Sequence, residues 1–185
     1  MILYHGTNQI IGKIDLNKGR ARTDFGIGFY LSGKIGTAQD WAISKTLLLG
    51  GIPTVLQYEL RDGYNELYGH RFSEMPSDEW LDFVVSNRKT NFKDDGKKEP
   101  RHDYNWVSGP IADDNMNTVV KEYIAGNISR DEAIFRARIL PQTFQICLHT
   151  TEAIGYIDEA NVSYRQLKNG KWSRNWIKRF SEANQ

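Results

Sequence analysis

Short β-prone runs recur along this chain among segments of helical periodicity, but strands and helices do not alternate regularly. The runs predicted as strands are residues 2–5, 29–31, 54–60, 65–72, 106–112, 143–150 and 161–167. Helices are predicted over 37–49, from 76 onward, and over 115–125, 131–140 and 171–183. Without a regular βαβ alternation, this mixture favours an α+β fold with a mostly antiparallel sheet over a doubly wound fold.

The length of 185 residues fits one domain. We predict a single domain over residues 1–185, with a mainly helical insertion at about 76–140 between core strands. Within that insertion, the charged stretch 93–101 is predicted as a loop because it carries Gly96 and Pro100.

Capping residues set the ends of two predicted helices. Thr37 and Asp40 stand at capping-box spacing, and Gly50 follows the last helical residue. Ser129 and Glu132 have the same spacing at the start of the 131–140 helix. Both helices are therefore predicted to begin at a side-chain cap.

The C-terminal segment is predicted as one helix packed on the core with a solvated basic face. Trp172, Trp176 and Phe180 recur every four residues, which is the spacing of one helix face. The basic residues of the segment leave a second interpretation open, a surface for a partner or a nucleic acid.

The overall charge and the cysteine content narrow the function classes. The 24 basic and 23 acidic residues give a net charge of +1, which is not the basic excess of a dedicated nucleic-acid binder. A single cysteine, Cys147, rules out an intrachain disulfide and fits a reducing compartment. The start of the sequence has no signal-peptide pattern, and no apolar run reaches membrane-spanning length. We therefore expect a cytoplasmic protein with no membrane partner.

Metal and thiol chemistry fit the sequence poorly. The four histidines show no zinc-binding spacing with one another or with Cys147, so no metal is predicted. Cys147 and His149 fall on one face of a predicted strand, but side chains two apart on a strand diverge too far for a tight hydrogen bond. A buried structural cysteine is the expected outcome.

Three segments stand out together. They are residues 3–7 (Leu-Tyr-His-Gly-Thr), residues 23–32 (Thr-Asp-Phe-Gly-Ile-Gly-Phe-Tyr-Leu-Ser) followed by 38–42 (Ala-Gln-Asp-Trp-Ala), and residues 145–150 (Gln-Ile-Cys-Leu-His-Thr). In this order they resemble the ADP-ribosyltransferase superfamily, in the diphtheria-toxin and poly(ADP-ribose) polymerase branch with His, Tyr and Glu on three strands. The closer likeness is to a bacterial ADP-ribosyltransferase-like family with a further Gly-Pro-Ile-Ala-Asp-Asp segment, here residues 109–114.

This resemblance, over roughly residues 2–155, implies a fold and a substrate. The sheet would be split, and NAD+ would lie in a cleft between its halves, with no metal. His5 would hydrogen-bond the adenosine ribose, and the adjacent Gly6 backbone would hold the nicotinamide amide. Tyr30 would stack on the nicotinamide ring, and Trp41 would close its other face, where a π-face suits the cationic pyridinium.

The third signature position departs from the family pattern. Gln145 stands where the signature has glutamate, so it can accept the hydrogen bond of the nicotinamide-side ribose but adds no charge near the oxocarbenium-like ribose. Gln142 and Glu152 are nearby alternatives, and strand register favours Gln145. On this reasoning, Gln145→Glu is expected to raise NAD+ hydrolysis.

The resemblance implies further contacts with NAD+. The implied positions beyond His5, Tyr30 and Gln145 are Gly6, Thr7, Gly28, Phe29, Ser32, Trp41 and Arg22. Arg20 and Arg22 either meet the pyrophosphate or are solvated loop arginines. Asp113 and Asp114 either cap the helix that follows or contact the ribose or acceptor.

The resulting functional hypothesis is an NAD+-dependent ADP-ribosyltransferase. It would cleave the nicotinamide–riboside bond and transfer ADP-ribose to a protein or nucleic-acid acceptor, and a toxin of this kind would have a neutralising partner protein. Two alternatives stay open, a non-catalytic module that binds NAD+ or ADP-ribose, and a protein-interaction module on the same fold. The related RNA 2′-phosphotransferases rank lower because no arginine pair is placed for a 2′-phosphate.

Overall fold

The computed structural model describes residues 1–88, 102–111 and 114–179. Its strands are β1 (Ile2–Thr7), β2 (Phe29–Ser32), β3 (Thr54–Glu59), β4 (Gly69–Arg71), β5 (Trp106–Pro110), β6 (Phe144–Leu148), β7 (Ser163–Lys168), β8 (Lys171–Trp172) and β9 (Ile177–Lys178). Its helices are α1 (Ile35–Leu49), α2 (Asp78–Arg88), α3 (Asp114–Ile124), α4 (Arg130–Ile139) and α5 (Thr151–Ile154). The α+β class and the mostly antiparallel strand pairing are thereby confirmed.

The chain divides into two compact units. The terminal unit comprises residues 1–14, 30–67 and 151 onward, and the central unit comprises residues 15–29 and 68–150. The prediction of a single domain stays a prediction. Three helices, α2, α3 and α4, fall within the segment expected as a helical insertion, together with β5.

In the terminal unit, an antiparallel sheet packs against α1. Its strands lie in the order β2, β1, β3, β7 and β8, and β9 also pairs with β7. Ala38 and Ala42 of α1 are buried with Val55 of β3. The approach of α1 to β1 is closest at Gly6, where a Cβ atom would lie 2.0 Å from the carbonyl oxygen of Ala38. Only glycine fits at this position.

The end of α1 is as predicted, and its start is not. Gly50 adopts a φ of 72°, and its N–H donates to the carbonyl of Thr46 at 2.8 Å. The helix begins at Ile35, and its N-cap, Lys34, makes no side-chain cap hydrogen bond. The predicted capping box of Thr37 and Asp40 is therefore wrong, since both residues already lie inside the helix.

In the central unit, β5 pairs in parallel with β4 and antiparallel with β6. Trp80 of α2 is fully buried, and its indole N–H donates to the carbonyl of Pro110 at 3.1 Å. The hydroxyl of Ser129 accepts from the N–H of Glu132 at the start of α4, so this cap is confirmed.

The predicted C-terminal helix is wrong. The short strands β8 and β9 lie within this segment instead, because Asn169 and Gly170 take φ values of 51° and 73° in a tight turn between β7 and β8. An Asn-Gly pair with both φ positive is the preferred two-residue hairpin turn. Trp172 on β8 and Trp176, just before β9, both pack beside Ala38, so their spacing of four does not reflect a helix face.

Several sequence-based expectations lie outside the described residues. These are the loop at 93–101, Ala112 and Asp113 of the family-like segment, and Phe180 of the C-terminal stripe. Within the described ranges, no helix combines the length and the apolar character needed to cross a membrane.

Gly6→Ala is expected to destabilise the fold, because its methyl group would overlap the main chain of α1. Overpacking of this kind costs about 1 to 3 kcal/mol. Gly12→Ala is the matched control, since a Cβ at Gly12 has no atom within 4 Å. Urea unfolding of both variants measures the difference, and equal stability of the two would contradict the close approach of β1 and α1.

Candidate functional site

The strands β1 and β2 of the terminal unit separate after one ladder pair. Met1 and Leu60 exchange hydrogen bonds of 2.8 Å, which sets the phase of the β1–β3 ladder. Odd-numbered residues of β1 therefore turn their main-chain groups toward β3, and even-numbered residues turn theirs toward β2. Tyr4 pairs with Ser32, and the described part of the β1–β2 ladder holds this pair alone. Gly6 thus directs its N–H and C=O toward β2, beyond the last ladder pair.

His5 bridges the two strands where they separate. Continued pairing would place Gly6 opposite Tyr30, but the Tyr30 carbonyl accepts a hydrogen bond of 2.8 Å from Nδ1 of His5. Because a carbonyl oxygen only accepts, the proton of the neutral ring resides on Nδ1. Burial lowers the pKa of His5 to about 4, against the opposing effect of this hydrogen bond. At neutral pH the ring is uncharged, and Nε2 is its acceptor nitrogen.

The predicted stacking residues lie in the same unit. Tyr30 on β2 is half-buried. Trp41 on α1 is 42% exposed, although Trp is usually largely buried. Both aromatic rings therefore reach the surface of the terminal unit in part.

Two predicted NAD+ contacts have side chains that serve the fold. Thr7 is buried, and its hydroxyl accepts from Nζ of Lys45 at 3.3 Å. Ser32 is buried as well, and its hydroxyl accepts from the N–H of Lys34 at 3.1 Å. Gly6 has the packing role described above. Because the side chains of Thr7 and Ser32 are engaged in the fold and Gly6 has none, these three residues would contact a ligand through their main-chain groups.

Gln145 belongs to a buried polar network of the central unit. It is 7% exposed on β6, and its Nε2 donates to Oδ2 of Asp24 at 3.0 Å. Oδ1 of Asp24 accepts from Nε of Arg88 at 2.9 Å, and the two residues form a largely buried ion pair with 8% and 15% of their side chains exposed. Nη1 of Arg88 in turn donates to Oδ1 of Asn117 at 2.6 Å. The network joins β6, α2 and α3 to the segment before β2.

The other predicted positions also lie in the central unit. Gly28 is in contact with β6, and a Cβ there would lie 2.4 Å from Sγ of Cys147. Phe29 is buried. Arg20 and Arg22 are exposed, and Arg22 has a φ of 64°. Gly28 and Phe29 thus serve packing, while the two arginines reach solvent.

Cys147 and His149 do not form an activated pair. Nδ1 of His149 lies 3.8 Å from Sγ of Cys147 and 2.7 Å from the carbonyl oxygen of Ile27. Because Nδ1 donates its proton to that carbonyl, it cannot accept the thiol proton. Burial lowers the pKa of His149 to about 4, so this ring is also neutral at pH 7.

Sequence reasoning missed an aromatic cluster around His149. The His102 ring packs edge-on against His149 at a centroid distance of 4.5 Å and stacks on Phe83 at 5.1 Å. His70 lies 5.4 Å from Tyr104 in the same cluster. The three histidines are far apart in sequence, and only the fold brings them together. In the described ranges, no group of three His, Cys, Asp or Glu residues is placed to hold a metal ion.

Sequence reasoning also missed Asp24 as the partner of Gln145, and Arg88 and Asn117 as the further members of its polar network. The available signal was the carboxylate of Asp24 within an otherwise apolar and glycine-rich run. A charged residue in such a run is rarely buried without a partner. The identity of that partner could not be read from the sequence.

The two neutral histidines predict a loss of stability in mild acid. The pKa values of His5 and His149 fall from 6.5 in the unfolded chain to about 4 in the fold. The unfolded state therefore binds more protons between these values, and the free energy of unfolding decreases as the pH falls from about 6.5 toward 4. Urea unfolding across this range measures the decrease.

His5→Asn and His149→Asn are the matched variants for this measurement. Asn keeps a donor near the position of Nδ1 but does not titrate, so each variant should show a shallower pH dependence than the wild type. An unchanged slope in both variants would contradict the assignment of neutral rings with lowered pKa values.

Comparison with known proteins places the chain in a family without assigning a function. No curated protein and no solved structure matches the chain significantly. The family model described as "Protein of unknown function (DUF3990)" matches residues 1–158, which is most of the chain. The chain therefore belongs to the DUF3990 family of proteins of unknown function.

Proposed function

We propose that this protein binds NAD+, cleaves its nicotinamide–riboside bond and transfers ADP-ribose to a protein or nucleic-acid acceptor. The observation that carries the proposal is the separation of β1 and β2 at His5, with a neutral imidazole between the strands. The ordered motifs of residues 3–7, 23–32 and 145–150 point to the same chemistry. The NAD+ cleft of the resembled superfamily is part of this proposal.

The protonation state of His5 favours a hydroxyl over a phosphate as its ligand. An uncharged ring whose Nε2 is an acceptor can accept a hydrogen bond from a ribose hydroxyl. It offers a phosphate no positive charge, and phosphate binding relies on charged donors. His5 thus suits a ribose of NAD+ better than its pyrophosphate.

The main chain of Gly6 suits the nicotinamide carboxamide. Gly6 directs one donor and one acceptor toward β2 beyond the ladder, and main-chain groups require hydrogen-bond partners. A carboxamide also offers one donor edge and one acceptor, so it can pair with a residue as a neighbouring strand would. Such a pairing would hold the nicotinamide while its bond to ribose stretches.

The environment of Trp41 supports the stacking role. When a flat ring stacks on an exposed indole, apolar surface of both rings is buried, which is favourable. The π-face of the indole also attracts the cationic nicotinamide ring. Tyr30 provides a second aromatic ring in the same unit. We assign the two residues to the nicotinamide end of NAD+.

The reaction needs no metal in this scheme, because the leaving group departs as neutral nicotinamide. Cys147 is a buried thiol outside any disulfide, in keeping with a reducing compartment, and we propose the cytoplasm as the site of action. A neutralising partner protein belongs to the proposal if the activity is toxic to the cell.

A second candidate function is a non-catalytic module that binds NAD+ or ADP-ribose. The observation in its favour is that Gln145 carries no charge and already donates to Asp24 within the fold. The two candidates share the ligand and differ in nicotinamide release.

Purified protein is expected to release nicotinamide from NAD+ and to label macromolecules of a cell lysate with ADP-ribose. Chromatography follows the first product, and mass spectrometry identifies the second. NAD+ that binds without release of nicotinamide would favour the non-catalytic candidate. Absence of calorimetric heat with both NAD+ and ADP-ribose at millimolar concentration would contradict both candidates.

In the same assay, Trp41→Ala should weaken NAD+ binding at least about fivefold, since stacking on an aromatic ring is worth about 1 to 3 kcal/mol per base. Leu47→Ala is the matched control, because it truncates an 84% exposed side chain of the same helix. The stacking assignment fails if both variants bind NAD+ as the wild type does.

A further inference from the structure

The contact between Gln145 and Asp24 fixes the orientation of an amide. A carboxylate only accepts hydrogen bonds, so the group that faces Oδ2 of Asp24 at 3.0 Å must be the NH2 of Gln145. Oε1 of Gln145 then points away from Asp24. Within the described part of the chain, this oxygen accepts no hydrogen bond, so it is the atom that Gln145 can offer to a ligand.

The two oxygens of Asp24 have separate partners. Oδ1 accepts from Arg88, and Oδ2 accepts from Gln145. The main-chain carbonyl of Asp24 accepts in addition from Nδ2 of Asn87 at 3.3 Å. Because Arg88 holds Oδ1 and Asn87 holds the main chain of the same residue, Asp24 can hold the Gln145 amide in a single orientation.

A buried carboxylate also changes what the amide can do. A hydrogen bond from an amide N–H to a carboxylate is charge-assisted, and it polarises the amide toward a more negative oxygen. Oε1 of Gln145 therefore becomes a stronger acceptor than the oxygen of a solvated glutamine. Through this hydrogen bond, the charge of Asp24 increases the partial negative charge on Oε1 of Gln145.

We propose that Asp24 is a positioning residue for Gln145 within the central unit, and that it orients and polarises the amide so that Oε1 receives a ribose hydroxyl of NAD+. The proposal rests on the function proposed above and extends it. In this arrangement the Asp24 carboxylate contacts the NH2 of the Gln145 amide, and Arg88 holds that carboxylate in place. The pair Gln145 and Asp24 takes the role for which the resembled signature uses one glutamate.

The contact revises the expectation for Gln145→Glu. A glutamate there would place a second carboxylate about 3.0 Å from Oδ2 of Asp24, and two carboxylates at that distance cannot both ionise without a large cost. The single variant should lose stability, and it should lose more as the pH rises and the shared proton leaves. An increase in activity is no longer expected.

Exchanging the two groups removes this conflict. In Asp24→Asn/Gln145→Glu, the amide of residue 24 can donate to the carboxylate of residue 145 while its oxygen still accepts from Arg88. The double variant keeps the number of charges and hydrogen bonds and moves the carboxylate to the position that faces the ligand. It also guards against the chance that Asp24→Asn alone fails to fold around Arg88.

The experiment compares the wild type, Asp24→Asn, Gln145→Glu and the double variant, with Gln9→Glu as a control that adds the same charge at an exposed position. Tm is measured from pH 5 to pH 8 without ligand, and kcat and KM for NAD+ are measured at pH 7.5. We expect the Tm deficit of Gln145→Glu relative to the wild type to grow with pH, and neither the double variant nor Gln9→Glu to show this growth.

For the reaction, we expect Asp24→Asn to lower kcat roughly tenfold, the worth of one hydrogen bond made in the transition state, with little change in KM. The double variant should recover kcat above both single variants. Recovery of activity, and not only of Tm, separates a positioning role from a structural one.

Three outcomes would overturn the proposal. If the wild type neither binds nor cleaves NAD+, the proposed function fails and the role of Asp24 fails with it. If the wild type cleaves NAD+ and Asp24→Asn keeps its kcat, the function stands and the role of Asp24 alone fails. If the double variant recovers Tm but not kcat, Asp24 serves only the fold.

Discussion

The hydrogen bond between Nδ1 of His5 and the carbonyl of Tyr30 links the local strand geometry to the chemistry of the terminal unit. It engages the acceptor that the next ladder pair of β1 and β2 would use, at the point where the described ladder between them ends. It also fixes the tautomer of a ring that burial keeps neutral. The same contact makes Nε2 the acceptor nitrogen of the ring, and this tautomer is the one that the proposed ribose recognition requires.

In the central unit, a charged acceptor, the Asp24 carboxylate, likewise fixes the orientation of a neighbouring side chain. Burial is costly for Asp24 and Arg88 unless each is paired and hydrogen-bonded, and their contacts meet this condition. The pair in turn determines which end of the Gln145 amide faces the carboxylate. In both units, an oxygen that can only accept hydrogen bonds determines how a neighbouring side chain is oriented.

Capping and turn residues in the sequence predicted the ends of individual helices. Side-chain contacts between residues far apart in the sequence could not be predicted in this way. The glycine after α1 and the serine before α4 act within a few residues, so their effects were predictable. The prediction of a C-terminal helix was wrong because the spacing of four between aromatic residues was given more weight than the turn signal of Asn169 and Gly170. His5, Tyr30 and Gln145 could be singled out by motif. The partner of Gln145 could not, because Asp24 lies 121 residues away and pairing at that range depends on the fold.

The most direct measurement of the central claim is nitrogen NMR of the His5 ring, assigned by the loss of its signals in His5→Asn. At pH 7 the account predicts a neutral ring protonated at Nδ1, with an Nε2 signal typical of an unprotonated nitrogen. Addition of NAD+ should shift that Nε2 signal in the direction of hydrogen-bond acceptance and leave Nδ1 protonated. A ring protonated at Nε2, or an Nε2 signal unmoved by millimolar NAD+, would contradict the account.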